Sequence, residues 1–271
     1  MKKILTVLAA SWGMLSPAIS AQPLPCTGVL ACQDFEGADV DLAVAFSGEA
    51  ELTVDRTKAH GGAASLRIAS AGGKPTGFLL FSGAPLFAEL RESVFGRFWL
   101  WLDATPETPV HWTMIEASGQ HADGHQVMLR YGGQHPVVVD GAFVGSRMMA
   151  NYETPEFYWK EGAMGSDCWQ HGADDDVLPT GRWACVAFGF DGAANRWTID
   201  VDGRNRPALT VDGRGQGCLH QPADFPWDMP NIDTLKLGWE AYQEDEPRTL
   251  WIDDILIDDK PVQCPSSAGA R

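Results

Sequence analysis

The stretch VFGRFWLWLD, Val94–Asp103, alternates its side chains with the period of a β-strand. One face of such a strand carries three apolar side chains, Phe98, Leu100 and Leu102. The other face carries a cation and two indoles, Arg97, Trp99 and Trp101. The first face predicts contact with a hydrophobic core, and the second offers side chains suited to binding acidic sugars. A strand buried on both faces, with the arginine in an ion pair at its edge, is the alternative interpretation.

Short runs of the same kind recur along the chain between turn residues. They are AELTVD, ASLRIA, GFLLFS, HWTMIEA, QVMLRY, PVVVDGAFV, WACVAFGFD, RWTIDVDG, TLKLGW and LWIDDILI. No long apolar period of 3.6 residues is present, and Leu86–Ser93 fits a helix of one or two turns at most. With 29 glycines and 17 prolines, the pattern predicts an all-β sandwich of antiparallel strands. We expect a single domain over residues 22–264 and a flexible tail over 265–271.

The first 21 residues, MKKILTVLAASWGMLSPAISA, have the composition of a signal peptide. Two lysines precede an apolar run, Ile4–Leu15, and small residues suited to cleavage follow at Ser20 and Ala21. The run is too short, and too interrupted by Gly13 and Pro17, to span a membrane. We therefore expect a secreted or periplasmic protein, with a retained anchor as the alternative.

The chain has six cysteines, an even number that predicts disulfides in an exported protein. Cys26 and Cys32 flank a short turn at Gly28 and can close a local loop. The spacing leaves the other pairings open. A zinc site is the alternative, but no CxxC pair or cluster of cysteine and histidine supports it.

The formal net charge of −16 argues against nucleic acid and anionic membranes as partners, because such a protein repels both. A polyanionic substrate would need a local basic cleft in this acidic surface. Eleven tryptophans are many for 271 residues, and tryptophan is common where sugar rings stack. We expect a monomer, and the cation and indoles of Val94–Asp103, rather than the net charge, suggest an acidic polysaccharide as its ligand.

The longest poorly patterned stretch is Ser146–Pro179. It contains aromatic residues, a cysteine and an acidic run. Long loops within a compact domain are usually functional or disordered, and the aromatics argue against disorder. We therefore predict a loop over a binding cleft, in which Tyr152 contacts substrate.

Three signatures together resemble the concanavalin A-like jelly-roll superfamily. They are DFEG with HGGAASLRI (Asp34–Gly37 and His60–Ile68), GRWACVAFGFDGAANRWTIDVDG (Gly181–Gly203) and LGWEAYQEDEPRTLWIDDILI (Leu237–Ile257). Within it, the chain is most similar to the Cip1-like extracellular proteins, which are related to glucuronan and alginate lyases. The resemblance implies a β-jelly roll with a concave cleft, a structural calcium ion, and β-elimination on uronic-acid polysaccharides.

Elimination from a uronate requires a group that neutralises the C6 carboxylate, a base for the C5 proton and an acid for the leaving O4. The run HQVMLRY, His125–Tyr131, places Gln126 and Arg130 on one strand face, where both can approach a common carboxylate. A solvated sheet face with a structural arginine is the alternative. The histidine that alginate-lyase relatives carry two positions after this glutamine is replaced by Met128.

The base is then left open between His111, in the neighbouring run HWTMIEA, and His125 at the start of the strand. Trp112 and Met114 look like core residues, which would direct His111 towards the cleft. A packed or surface histidine is the alternative for each. Tyr242 matches in position the tyrosine of the lyase relatives, so the resemblance implies that it is the acid. Arg97 would be a second subsite cation.

The resemblance also implies a calcium site formed by an early glutamate, carbonyls of a glycine-containing loop and an aspartate of the last strand. Glu36, the backbone of Thr57–Gly62 and Asp253 match these places, and oxygen ligands suit calcium. Alternation places Asp254 on the opposite face. Acidic turn residues in water are the alternative.

Two functions follow from these residues. The first is a lyase that uses His111 or His125, Gln126, Arg130 and Tyr242. The second is a non-catalytic carbohydrate-binding module or lectin that uses the Trp99 and Trp101 face. A retaining glucanase is excluded as the preferred function, because no strand carries the ExDxE pattern that such enzymes need.

Overall fold

The computed structural model describes residues 26–37, 44–47, 50–83, 86–90, 92–154, 165–222 and 224–265. The predicted signal peptide and residues 266–271 of the predicted tail lie outside these ranges. Within the described ranges, no helix is long and apolar enough to cross a membrane.

Two antiparallel sheets form the fold. The nine-stranded sheet contains β1 (Ala31–Gln33), β3 (Ala50–Asp55), β4 (Ser65–Ser70), β6 (Ser93–Leu102), β11 (Trp183–Asp191), β12 (Arg196–Val201), β13 (Arg204–Asn205), β14 (Val211–Asp212) and β17 (Arg248–Asp258). The eight-stranded sheet contains β2 (Val44–Ser47), β5 (Thr76–Ser82), β7 (Trp112–Gln120), β8 (Gln126–Val139), β9 (Ala142–Glu153), β10 (Asp167–His171), β15 (Gly217–Leu219) and β16 (Asn231–Ala241). A short helix, α1 (Leu86–Leu90), and a 3₁₀ turn, Pro207–Leu209, complete the described elements.

The predicted all-β jelly-roll sandwich is confirmed. The nine-stranded sheet runs in the order β13-β12-β11-β6-β17-β4-β3, and the eight-stranded sheet in the order β15-β10-β9-β8-β7-β16-β5-β2. Many neighbours in these orders are far apart in sequence, as the return connections of jelly rolls require. The short helix predicted near Leu86–Ser93 is also present, as α1.

The core lies between the sheets and follows the alternation in the sequence. From β6 it receives the predicted apolar face, Phe98, Leu100 and Leu102. From β8, opposite, it receives Val127, Leu129 and Tyr131. The side chains between them therefore lie on the outer faces, which confirms that Gln126, Met128 and Arg130 share one side of β8.

The predicted loop over Ser146–Pro179 is wrong for most of its described length. Ser146–Glu153 belongs to β9 and Asp167–His171 to β10, while residues 155–164 lie outside the described ranges. Tyr152 points into the core at 2% exposure, and its ring stacks on Trp197 and Trp227. Strand packing therefore removes Tyr152 from any substrate surface.

The cysteines form the predicted disulfides. Cys26–Cys32 closes the local loop as expected, Cys168–Cys218 joins β10 to β15, and Cys185–Cys264 joins β11 to the C-terminal segment. Disulfides of this kind are typical of proteins that fold in oxidising compartments.

Candidate active site

A cavity of about 410 Å³ opens on the outer face of the eight-stranded sheet. We call it the histidine cleft, and its principal lining residues are His111, Gln134, His135, Asn151, Trp169 and His171. It is built from consecutive strands of the sheet, β7 to β10, whose outward side chains meet here. Gly132 lets the first two strands approach closely, since a Cβ there would lie 1.8 Å from the carbonyl oxygen of Trp112.

His111 precedes β7 and is fixed by a chain of hydrogen bonds. Its Nε2 lies 3.1 Å from Oδ1 of Asn151, and Nδ2 of Asn151 donates to the carbonyl oxygen of Cys168 at 3.2 Å. Because the carbonyl can only accept, the amide of Asn151 has one orientation, and its Oδ1 accepts a hydrogen bond from the Nε2–H of His111. The remaining nitrogen of His111, Nδ1, is therefore the basic one.

Burial, and secondarily the charge of Arg130, lowers the pKa of His111 to about 4. The imidazole is thus neutral at neutral pH, as a general base must be.

Tyr242 lies beside His111, with 4.7 Å between the ring centroids. Its hydroxyl donates to Oε2 of Glu240 at 2.9 Å and lies 3.2 Å from Oγ1 of Thr113. Burial raises the pKa of Tyr242, so the phenol keeps its proton across the physiological range. The structure thus brings together His111 and Tyr242, two of the predicted catalytic residues, as a neutral imidazole and a protonated phenol.

Arg130 lies next to this pair, but its guanidinium is already paired with two glutamates of the protein. Its Nε donates to Oε2 of Glu116 at 2.7 Å, and its Nη1 donates to Glu153. Lys236 contacts the other oxygen of Glu116 at 2.6 Å. Burial alone would raise the pKa of Glu116, but the charges of Arg130 and Lys236 outweigh it and lower that pKa.

These residues form a second cavity of about 330 Å³ beside Tyr242, which we call the acidic pocket. It is lined by Thr76, Phe78, Glu116, Met128, Arg130, Lys236 and Glu240. The ring of Tyr242 lies 5.7 Å from the guanidinium carbon of Arg130, which lines this pocket, and 4.7 Å from the ring of His111, which lines the histidine cleft.

Gln126 and His125 lie at the far end of β8 from this pair. Gln126 is opposite Gln120, whereas Gly133 is opposite Trp112, so roughly 25 Å of strand separates His125 from His111. His125 Nδ1 binds Oδ1 of Asp123 at 2.5 Å. The structure therefore does not place these two residues beside Tyr242.

Arg97, Trp99 and Trp101, which the sequence predicts at sugar subsites, do not lie in this cleft, because β6 belongs to the nine-stranded sheet. There the ring of His60 stacks on Trp99 at 3.7 Å. Lys58 Nζ lies 3.7 Å from the ring centre of Trp101 and 3.8 Å from that of Trp251. We call this outer surface the tryptophan face.

Arg97 is also covered on that side. It is 9% exposed, and its Nη1 donates to the carbonyl oxygen of Gln263 at 3.4 Å. The C-terminal segment, held by Cys264, thus lies over the cation that the sequence predicts at a sugar subsite.

The predicted calcium residues surround the loop 57–62. Glu36 Oε1 accepts the amides of Ala63 and Ala64 at 2.7 and 2.8 Å. Asp253 Oδ2 accepts the amide of His60 at 2.7 Å, and Asp254 Oδ2 contacts the imidazole of His60 at the same distance. The expectation that Asp254 faces away is therefore wrong. An irregularity between Asp253 and Leu256, with Asp254 at φ 50°, breaks the alternation.

Two features of this site suit a cation. Oδ1 of Asp254 is buried without a hydrogen-bond partner, and burial together with the charge of Asp254 raises the pKa of Asp253 to about 7. A divalent ion would relieve both. Against this, no group of three or more His, Cys, Asp or Glu side chains in the described ranges is arranged to hold a metal.

Several cleft residues were missed by the sequence interpretation, notably Gln134, His135 and Asn151. The signal was available, because β8 and β9 extend well beyond the runs recognised in the sequence. Continuing the alternation from Arg130 would have brought Gln134 to the outer face. Trp169 and His171 fall within Ser146–Pro179, the stretch that the sequence predicts as a loop.

Comparisons with known proteins agree with this architecture. A family model described as "Polysacc_lyase-like: Cip1-like, core domain" matches residues 41–260. The chain is similar to the structure of "Cellulose induced protein, Cip1", with 23% identity, a TM-score of 0.59, and coverage of 87% of this chain and 100% of that chain. No curated protein sequence matches.

Two lyase structures show weaker similarity. An endo-β-1,4-glucuronan lyase from the fungus Trichoderma reesei has 10% identity and a TM-score of 0.47, covering 88% of this chain and 93% of that chain. The alginate lyase vAL-1 from Chlorella virus has 11% identity and a TM-score of 0.45, covering 76% and 89%. At such identities, similarity to solved structures concerns the fold alone.

Proposed function

The chain belongs to the family of Cip1-like core domains, described as polysaccharide lyase-like, and on this premise we propose that it is a lyase of uronic-acid polysaccharides. One observation carries the proposal. His111 and Tyr242, a neutral base and a protonated acid, lie 4.7 Å apart between ring centroids on an open sheet face. This is the pair of groups that β-elimination needs.

The reaction assigns one proton transfer to each residue. His111 Nδ1 removes the C5 proton, and the electron pair forms the C4=C5 double bond as the C4–O4 bond breaks. The hydroxyl of Tyr242 gives its proton to the leaving O4. Glu240, which accepts the hydrogen bond from Tyr242, orients the hydroxyl. Solvent exchange then returns both residues to their starting states.

Residues of β8, β9 and β10 would bind the sugar beside the reacting pair. Trp169 lines the histidine cleft and offers an aromatic surface to a sugar ring. Gln134 and Asn151 supply uncharged polar groups in the same cavity. The substrate would then run across β7 to β10.

We further propose a structural calcium ion at the loop 57–62. Asp253 and Asp254 would hold it together with carbonyl oxygens of the loop, and the ion would offset the charge of these two buried carboxylates. The ion has no part in the chemical step. Export through the predicted signal peptide agrees with the three disulfides. A monomer stays the expectation.

The alternative is a non-catalytic carbohydrate-binding protein that uses the tryptophan face. It has less support, because His60 already covers Trp99, and Lys58 covers Trp101 and Trp251. A sugar would have to displace these contacts before it could stack.

The test is to incubate the purified protein with glucuronan, alginate and other polyuronates, and to follow the ultraviolet absorbance of unsaturated products. We expect absorbance to rise with at least one of them, and to stay flat with the Tyr242→Phe variant. Retention on a polysaccharide column without unsaturated product at any pH would overturn the lyase and favour the binding protein.

A further inference from the structure

The cations that face the reacting pair are neutralised by carboxylates. Arg130 is bound to Glu116 and Glu153, and Lys236 is bound to Glu116. In the described residues that line the histidine cleft and the acidic pocket, no other lysine or arginine occurs. The guanidinium expected to neutralise the substrate's carboxylate is therefore committed within the protein.

Arg147, the cation that faces His135 and His171 from β9, is paired with Asp174 at 3.0 Å, and the remaining charges that line the two cavities are negative. Asp167 lines the histidine cleft, and Glu240 joins Glu116 in the acidic pocket. The histidines do not compensate at neutral pH, because burial lowers the pKa of His111 to about 4 and also lowers the pKa of His135 and His171. A free uronate bound here would meet like charge in a partly buried site, which is unfavourable.

An esterified uronic acid avoids this repulsion. Its C6 group is uncharged, and its carbonyl already acidifies the C5 proton. Negative charge then develops on the carbonyl oxygen only as the proton leaves, and neutral hydrogen-bond donors can stabilise it. Gln134, whose amide lines the cleft with His111, is such a donor.

We propose that the preferred substrate of this site is a polysaccharide whose uronic acids are alkyl esters rather than free carboxylates. The inference rests on the proposed lyase function and specifies its substrate class. His111 takes the C5 proton, the electron pair passes through the ester enolate into the C4=C5 bond, and Tyr242 protonates the departing O4. The ester itself stays intact, and no further reactant is needed.

One backbone in two forms tests this directly. A single polyglucuronate preparation is divided, one half is methyl-esterified, and initial rates of unsaturated-product formation are compared at neutral pH. The rate without enzyme is subtracted, because esters also eliminate spontaneously, and Tyr242→Phe serves as the inactive control. We expect cleavage of the ester to be at least about tenfold faster than that of the free acid.

The outcomes separate the two proposals. Equal or faster cleavage of the free acid overturns the ester preference and leaves the lyase function standing. Cleavage of neither form, nor of any other esterified or free polyuronate, overturns both.

A charge variant tests the cause. Glu153→Gln releases one side of the Arg130 guanidinium, so the preference for ester should fall by about tenfold. Asp212→Asn makes the same charge change at the exposed pair Asp212–Arg196, which belongs to the other sheet, and should leave the ratio unchanged. Melting temperatures show that both variants are folded. A folded Glu153→Gln protein with the parent's ratio would overturn the explanation by charge.

Discussion

The outer faces of the two sheets carry the same pair of groups, an imidazole against an aromatic ring. The two pairs differ in ring geometry and in the hydrogen-bond partner of the imidazole. On the tryptophan face, His60 lies flat on Trp99 at 3.7 Å and pairs with the carboxylate of Asp254 at 2.7 Å. In the histidine cleft, His111 lies tilted beside Tyr242 at 4.7 Å and binds the amide of Asn151 at 3.1 Å.

The partner of the imidazole accounts for the difference. The carboxylate of Asp254 holds the His60 ring in a closed contact, whereas the amide oxygen of Asn151 accepts one hydrogen bond from His111 and leaves the other ring nitrogen with a free lone pair. The tryptophan face thus uses histidine to fasten the loop 57–62. The histidine cleft presents the same side chain in a reactive form.

The largest expected effect on kcat comes from replacing Tyr242, the aromatic partner of His111. Tyr242→Phe keeps the ring but removes the proton donor, so kcat should fall by about 10²–10⁴-fold. Trp99→Phe makes a comparable aromatic change on the tryptophan face and should keep the parent's rate. Initial rates on the best polyuronate substrate measure both. Comparable losses in the two variants would contradict the functional division between the faces.

Replacing each of the two histidines with glutamine should give the next largest effect on kcat. His111→Gln should lower kcat by about 10²-fold or more with little change in melting temperature. His60→Gln should leave kcat unchanged but cost roughly 1–2 kcal/mol of unfolding free energy, because Asp254 loses its partner. Kinetics and urea denaturation of both proteins decide the matter. A large loss of kcat in His60→Gln with a normal kcat in His111→Gln would contradict the assignment of the reaction to the histidine cleft.

Giving His111 the partner type of His60 should shift its titration. Asn151→Asp places a carboxylate at the imidazole, which favours the charged ring and raises the pKa of His111 from about 4 by about one unit or more. The base is lost when it is protonated, so the acid limb of the kcat/KM profile should move to higher pH. Asn231→Asp, an exposed change of the same charge, should leave the limb in place. An unmoved limb in Asn151→Asp would remove His111 as the base.

The smallest expected effect is on the stability of the loop 57–62, which contains His60. If calcium binds at Asp253 and Asp254, a chelator should lower the melting temperature by about 2–4 °C, and Asp254→Asn should abolish the response. Calorimetry with and without chelator measures this. An identical melt of the parent protein under both conditions would exclude the ion, and would leave the lyase proposal untouched.

Much of the fold could be predicted from the sequence, because alternation reports directly which side chains are buried. The three apolar residues of β6, and the outward position of Arg130 on β8, followed from it. Alternation does not report which sheet a strand joins. β6 and β7 are consecutive in the chain yet belong to different sheets, so Trp99 and His111 face opposite sides of the molecule.

The arrangement of the candidate site was harder to predict from the sequence, for a related reason. Glu116 and Glu153 reach Arg130 from the two neighbouring strands, and such pairings depend on register, which a single sequence does not specify. The irregularity at Asp254 likewise turns a side chain to the face opposite the expected one. His111 was expected in the cleft because Trp112 and Met114 looked like core residues, whereas Tyr242 was implied by the resemblance. The catalytic roles of both stay predictions.

The position of β17 has a consequence for how the protein folds. This strand is near the end of the chain, yet it lies inside the nine-stranded sheet, between β6 and β4, and also pairs with β1. The sheet therefore cannot form completely before β17 is available to fill the gap between β6 and β4. Its contacts join segments that are far apart in the sequence, which makes folding slow.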